Sequence, residues 1–439
     1  MIFGNRSAGP GRTGLGASYG RLDPVGPSYR EFRPGALGGR QKSLLARAVA
    51  RGSVLRQLDW VLIAAMLALT VLSILLVWSA TRAQALQSGG DPNGFLKRQL
   101  LDVVIGLVLL GAVTALDYRM LRAYGPIAYI VACLALLAVL TPLGSSVNGA
   151  RSWISLPGGF QFEPSEFAKI TLVLVVALVL AEFRDSDSAP SGRDLGMALA
   201  VSVPALGLVM LEPDLGVTLV MAVIMFGMVA MSGIRLRWVG ALGLAAVVTG
   251  FLVWHAHLLK QYQIQRITAF VHPSANPLSA GYSVSQALIS IGSGGLLGHG
   301  LFHGAQTAGH FVPEQQTDFI FTVAGEELGF VGCIVIVVLL GVILTRAMRI
   351  AVHADSQFGT LIAAGIACWF GAQAFINIGM TLGIAPVTGL PLPFVSYGGS
   401  ATFANMMAIG LLQAVHRRHA TFETNLSRGA SRSLARLSS

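Results

Sequence analysis

Phe311-Val312-Pro313-Glu314-Gln315-Gln316-Thr317-Asp318-Phe319-Ile320-Phe321 runs into Gly325-Glu326-Glu327-Leu328-Gly329 and then into an apolar stretch that reaches Leu344. Upstream lies a loop rich in Gly, Pro and His. Downstream lies a membrane-crossing run, and Asp318 stands at the seam. A carboxylate at the mouth of a membrane helix loses solvation, so its ionised form is costly without partners. Thr317 and Asp318 are also good helix-start residues, so a plain capping role competes with a functional one.

Outward from this seam, the whole chain has the same character. It has 439 residues, 54% hydrophobic and 11% charged, where a soluble domain carries about a quarter charged residues. Mean hydropathy is +0.68. Repeated apolar runs predict an all-α polytopic membrane protein of ten transmembrane helices, at roughly 59–79, 99–116, 123–141, 166–183, 195–211, 215–232, 238–257, 318–345, 358–384 and 399–415. Residues 1–57 hold ten Lys/Arg against Asp23 and Glu31 and read as a disordered basic cytoplasmic tail. They are too long and basic for a signal-peptide start, so the run from Trp60 to Val77 reads as an uncleaved helix. Residues 58–416 form the membrane domain, and 417–439 a second basic cytoplasmic tail.

The net charge of +10 invites a nucleic-acid reading. The basic residues instead collect in the tails and short loops, which fits membrane lipids and no nucleic acid. With the N-terminus inside, inner loops carry Arg119, Arg122, Arg184, Arg193, Arg235, Arg237, Arg346 and Arg349. The short outer loops at 212–214 and 385–398 carry no Lys or Arg. That asymmetry predicts both termini in the cytoplasm, with the 80–98 loop (Arg82, Lys97, Arg98) a mild exception. Glu163, Glu166, Glu212, Asp214, Glu314 and Asp318 then gather on the outer side with Arg151, Lys169, Lys260 and Arg266. Ionisable groups beside hydrocarbon are expensive, so a one-sided collection predicts an outer-face site. Cys133, Cys333 and Cys368 fall in apolar runs and read as small core residues without disulfides.

The longest outer loop, 258–317, includes an amphipathic helix over Gly281–Ser290 with Ala287, Leu288 and Ile291 on one face. His299, His303 and His310 have no metal-site pattern around them and read as structural or headgroup-facing. Pro386–Ser400 is apolar but broken by three prolines and by glycines, so it cannot be regular helix. Irregular backbone at membrane depth survives only when packed in protein or lining a cavity, which places this loop beside the site.

Asn148-Gly149-Ala150-Arg151-Ser152-Trp153-Ile154, Glu163-Pro164-Ser165-Glu166-Phe167-Ala168-Lys169 and Glu212-Pro213-Asp214-Leu215-Gly216, then Gln263–Phe270, Pro313–Gly329, Asn377–Met380 and Pro386–Ser400, occur in one order over about 59–415. In that order they resemble the shape, elongation, division and sporulation (SEDS) family of bacterial cell-wall polymerases. Ile264-Gln265-Arg266-Ile267 and Pro313–Asp318 point to the RodA-type elongation branch, although the FtsW-type division branch shares most motifs.

The resemblance implies a peptidoglycan glycosyltransferase that polymerises lipid II at the outer face of the bacterial cytoplasmic membrane. It implies a class B penicillin-binding protein and elongation-complex proteins as partners. Asp318 matches the family's essential aspartate and is expected to be the general base. Substrate and pyrophosphate contacts are expected from Arg151, Lys169, Arg266, Glu166, Gln315, Ser396 and Tyr397, with Glu163, Glu212, Asp214, Glu314 and Thr317 behind them. A divalent cation (Mg or Mn) is compatible with pyrophosphate departure, though no ligand set is legible. Glu166 and Lys169, three apart after Pro164, share a helix face, and their pairing could be simply structural. The rivals are a lipid II flippase, which would favour inverted repeats that are not evident here, and a scaffold for a transpeptidase, which would have little use for the outer charges.

Overall fold

Asp59 opens the bundle as a helix cap, its carboxylate accepting the amide of Leu62 at 3.1 Å. It also pairs with Arg346 at 2.6 Å, while Gln413 takes the Asp59 amide at 2.9 Å. One capping residue thus ties three distant stretches of chain together. The computed structural model describes residues 57–147, 150–156, 160–182, 190–256 and 280–437, together with positions 263, 264, 266, 268 and 270. The expected N-terminal tail up to residue 56, Arg184 and Lys260 lie outside the described residues.

The elements are α1 (Trp60–Gln87), α2 (Gly94–Ala115), α3 (Tyr118–Leu140), β1 (Gly144–Val147), β2 (Ala150–Leu156), β3 (Phe160–Phe162), α4 (Pro164–Glu182), α5 (Gly192–Leu211) and α6 (Leu215–Met231). After them come α7 (Leu236–His255), α8 (Ala280–Ser293), α9 (Ala305–Ala308), α10 (Ile320–Glu327), α11 (Gly329–Val352), α12 (Gln357–Thr381) and α13 (Gly399–Leu437). Among the described residues, eight helices are long and apolar enough to cross a membrane, and α6 is slightly shorter. The expected span 399–415 opens α13, which continues as helix to Leu437 where a tail was predicted.

α4 and α12 are the central pair, 83% and 72% buried along their apolar windows, against 0% for the peripheral α7. Outward faces such as Val104, Val108, Ile130 and Leu134 are apolar and exposed, as lipid-facing surface must be.

Three expectations are corrected. The predicted single span 318–345 is two helices, broken at Gly329. Gly329 has φ +67°, and a Cβ there would lie 2.3 Å from the Gly298 amide nitrogen. Gly325 and Gly329 thus allow close approach to α8 and the preceding loop, with Gly325 packed on Ile291. Residues 144–162 were left unstructured by the all-helical reading. They form an antiparallel sheet in the order β1–β2–β3. Finally, α8 forms as expected, but Val284 and Ala287 are buried while Leu288 is 46% exposed.

Glu326 and Glu327, buried two turns past Asp318, find the partners that their position demands. The Glu326 carboxylate accepts from the Gln306 amide at 2.8 Å, the Thr307 amide at 2.9 Å and the Thr307 hydroxyl at 2.7 Å. Glu327 accepts from Ser79 at 2.6 Å. These bonds fasten the end of the long loop onto α10 and so fix the approach to Asp318.

Candidate active site

Two irregular segments, 311–319 and 382–398, meet beside the start of α10. Their backbone is satisfied by polar side chains of α12. Asn377 donates to the Asp318 carbonyl at 2.8 Å and to the Leu390 carbonyl at 2.6 Å, and Gln373 donates to the Pro391 carbonyl at 2.8 Å. The Tyr397 amide donates to the Gln316 carbonyl at 2.9 Å. Without such bonds a non-helical chain could not persist here. Together they set Asp318 on the wall of a cavity of about 580 Å³.

Glu163, Glu166, Asp214, Arg266, Glu314, Thr317, Asp318 and Tyr397 all line this cavity. Asp214 caps α6 by accepting the Val217 amide at 2.9 Å, so its capping role and its place at the site coexist. Arg266 donates to the Thr388 carbonyl at 3.0 Å, anchoring a cation beside the Pro-rich loop. Gly389 has φ +80°, and a Cβ on it would stand 3.4 Å from Asp318 Oδ2. Gly389→Ala is expected to cost about 1–2 kcal/mol, because an L-residue resists this left-handed conformation. A lowered unfolding midpoint in detergent would register the cost.

Three expected contacts do not reach the cavity. Lys169 is fully buried behind Glu166, 2.7 Å from Glu166 Oε1 and 3.0 Å from Gln373 Oε1, with its ammonium 4.8 Å from the Trp369 ring centre. Its charge serves Glu166 and is not presented to a ligand. Gln315 is turned inward, donating to the carbonyls of Ala80 at 2.9 Å and Thr307 at 3.0 Å. Ser396 spends its hydroxyl on the Thr317 carbonyl and accepts the Leu392 amide at 2.7 Å. Glu212, expected behind the contacts, is 0% exposed within the α5–α6 turn. Arg151 lies in β2, and its side chain is outside the described residues.

The electrostatics favour protonation across this wall. Burial raises Asp318 to about 7, aided by the Glu314 charge and opposed by Arg266. Burial lifts Glu163 to about 8, and repulsion from Glu166 and Asp214 adds to it. Glu212 is pushed up to about 9 by burial, then by Asp214 and Glu163. Asp214 is raised by burial, with its bond from Val217 and the Lys169 charge pulling the other way. A carboxyl group balanced near neutrality can accept a proton from a neutral hydroxyl and release it again. Among the described residues, no group of three or more His, Cys, Asp and Glu is placed to hold a metal ion. His310 Nδ1 lies 3.0 Å from Gln315 Nε2.

Sequence reasoning missed Arg98 and Asp102 on α2, which line the cavity. It also missed Gln373, and gave Asn377 no role beyond its place in the Asn377–Met380 motif; the signal of both was polarity inside an apolar span.

A family profile described as cell cycle protein, covering FtsW, RodA and SpoVE, matches residues 59–421. The chain is 36% identical over 360 residues to the peptidoglycan glycosyltransferase MrdB of Escherichia coli K12, covering 82% of this chain and 93% of that one. It is also 36% identical over 360 residues to a probable peptidoglycan glycosyltransferase FtsW of Trichlorobacter lovleyi, covering 82% of this chain and 93% of the relative. A solved structure described as a peptidoglycan synthase complex that coordinates polymerisation and crosslinking contains a similar chain. It matches with TM-score 0.69 and 31% identity, over 82% of this chain and 98% of the other.

Proposed function

The chain belongs to the cell cycle protein family of FtsW, RodA and SpoVE, and on that premise we propose that it polymerises lipid II into glycan strands for cell elongation, with Asp318 as general base. It is a peptidoglycan glycosyltransferase embedded in the membrane. The observation that carries the assignment to Asp318 is its half-buried carboxylate on the cavity wall, with Arg266 beside it and its acidity near neutral.

In the reaction, Asp318 accepts the proton of the acceptor GlcNAc 4-hydroxyl as the oxygen attacks C1 of the donor MurNAc. The new O4–C1 bond forms while the bond from C1 to the pyrophosphate oxygen breaks, so the anomeric centre inverts. Negative charge grows on the departing undecaprenyl pyrophosphate, and Arg266 is the cation best held to stabilise it, being fixed through Thr388.

The elongation role rests on Ile264–Ile267 and Pro313–Asp318. The outward-facing site and cytoplasmic termini rest on the Lys/Arg asymmetry of the loops. A class B penicillin-binding protein is the expected partner, docking on outer loops and neighbouring helices.

The test is to purify the protein with that partner, supply lipid II and resolve the product on a gel. Strand formation supports the reading. Lipid II movement across liposomes without strand formation would make the protein a flippase. A second prediction concerns pH. Ionised Asp318 is the active form, so rate should rise with pH through its pKa. Glu314 carries a charge that disfavours this ionised form, so Glu314→Gln should move the limb to lower pH. A pH–rate series on both proteins checks the sign.

A further inference from the structure

The cavity holds another carboxyl group that the reaction above does not use. Asp102 lies inside α2, is 4% exposed and lines the cavity. Its Oδ1 has no hydrogen-bond partner among the described residues. A buried polar atom left unsatisfied is costly, and inside a membrane helix more so. A purely structural carboxyl would be expected to spend its oxygens on the protein, as those of Glu326 are spent on the 306–307 backbone.

The surroundings are those of a ligand subsite. Arg98 precedes Asp102 by one helical turn and also lines the cavity. Phe95 and Tyr397 stand edge to face at 5.3 Å on the same wall. A Cβ on Gly399 would come within 3.2 Å of both Asp102 oxygens. The glycine therefore leaves the carboxyl group within reach of an incoming molecule. Mostly apolar walls with a few placed polar groups are the usual make-up of such a site.

The geometry points to Asp102 as a substrate-binding residue of a hexosamine subsite, where Oδ1 accepts a hydrogen bond from a sugar hydroxyl or acetamido N–H. Phe95 and Tyr397 form the apolar wall of this subsite. The inference rests on the glycosyltransferase reading and extends it to a residue on a different helix from the base.

The experiment compares Asp102→Leu and Asp102→Asn in the full chain with its partner. Lipid II binding is measured in an Asp318→Asn background and KM with Asp318 intact. Loss of a hydrogen bond to a charged group predicts that Leu weakens binding and raises KM by about tenfold or more, and Asn by about threefold, with the smaller effect on kcat. A purely structural role would instead lower the unfolding midpoint and leave KM in place. Binding and KM within about twofold of the parent in both variants would overturn the assignment. If the Leu variant does not fold, the Asn variant decides alone by the same threshold. Should the parent bind lipid II but make no strands, the glycosyltransferase reading fails. The subsite is then judged on binding alone.

Discussion

Asp318→Asn should lower glycan polymerisation by about a hundred- to ten-thousandfold while lipid II still binds, since a positioned general base contributes about that much. The amide keeps the shape and cannot accept the proton. The backbone around it should stay in place, because the Asp318 carbonyl, not its side chain, takes the Asn377 hydrogen bond. Expression level and unfolding midpoint are thus expected to match the parent. Asp318→Glu, which keeps the charge but moves it by a methylene, should lose less. Full activity in Asp318→Asn would remove the base from this position.

Lys169→Met should destabilise the fold by about 3–5 kcal/mol, the usual consequence of leaving one buried charge without its partner. The Glu166 and Lys169 side chains are 1% and 0% exposed and 2.7 Å apart. Lys169 bonds Glu166 Oε1, and Oε2 has no hydrogen-bond partner among the described residues, so Glu166 depends heavily on the ammonium. Glu166→Gln combined with Lys169→Met should recover part of the loss, because two neutral side chains no longer strand a charge. Unfolding of the four proteins in detergent gives the coupling. A Lys169→Met variant within about 0.5 kcal/mol of the parent would mean the pair is solvated in a way its burial contradicts. Activity should fall too, since Glu166 faces the cavity that Lys169 supports.

The helical bundle was legible because long apolar runs with flanking Arg residues have few other solutions in a membrane. Asp318, Asp214 and Glu163 were legible for a related reason: charges at span ends are rare and one-sided here. Other features were hidden by their local chemistry. The sheet 144–162 is short and rich in Gly and Ser, and its strands are held by pairing across a hairpin that no periodicity announces. The break at Gly329 looks like any glycine in a hydrophobic run until the Gly298 loop is seen against it. Lys169 read as a pyrophosphate ligand because spacing places it on a face but does not say what that face meets. Gln373 on a distant helix takes up its remaining reach. Asp102 was passed over as a single carboxylate after Lys97 and Arg98, whose charges were read as topology signals.

The pH dependence of polymerisation tests the role of Asp318 most directly. Its acidity near 7 predicts a rate that climbs with a one-proton slope and levels off above a midpoint near 7, a limb missing from the residual activity of Asp318→Asn. A profile flat from about pH 5.5 to 8.5, or a limb that survives the substitution, would contradict it.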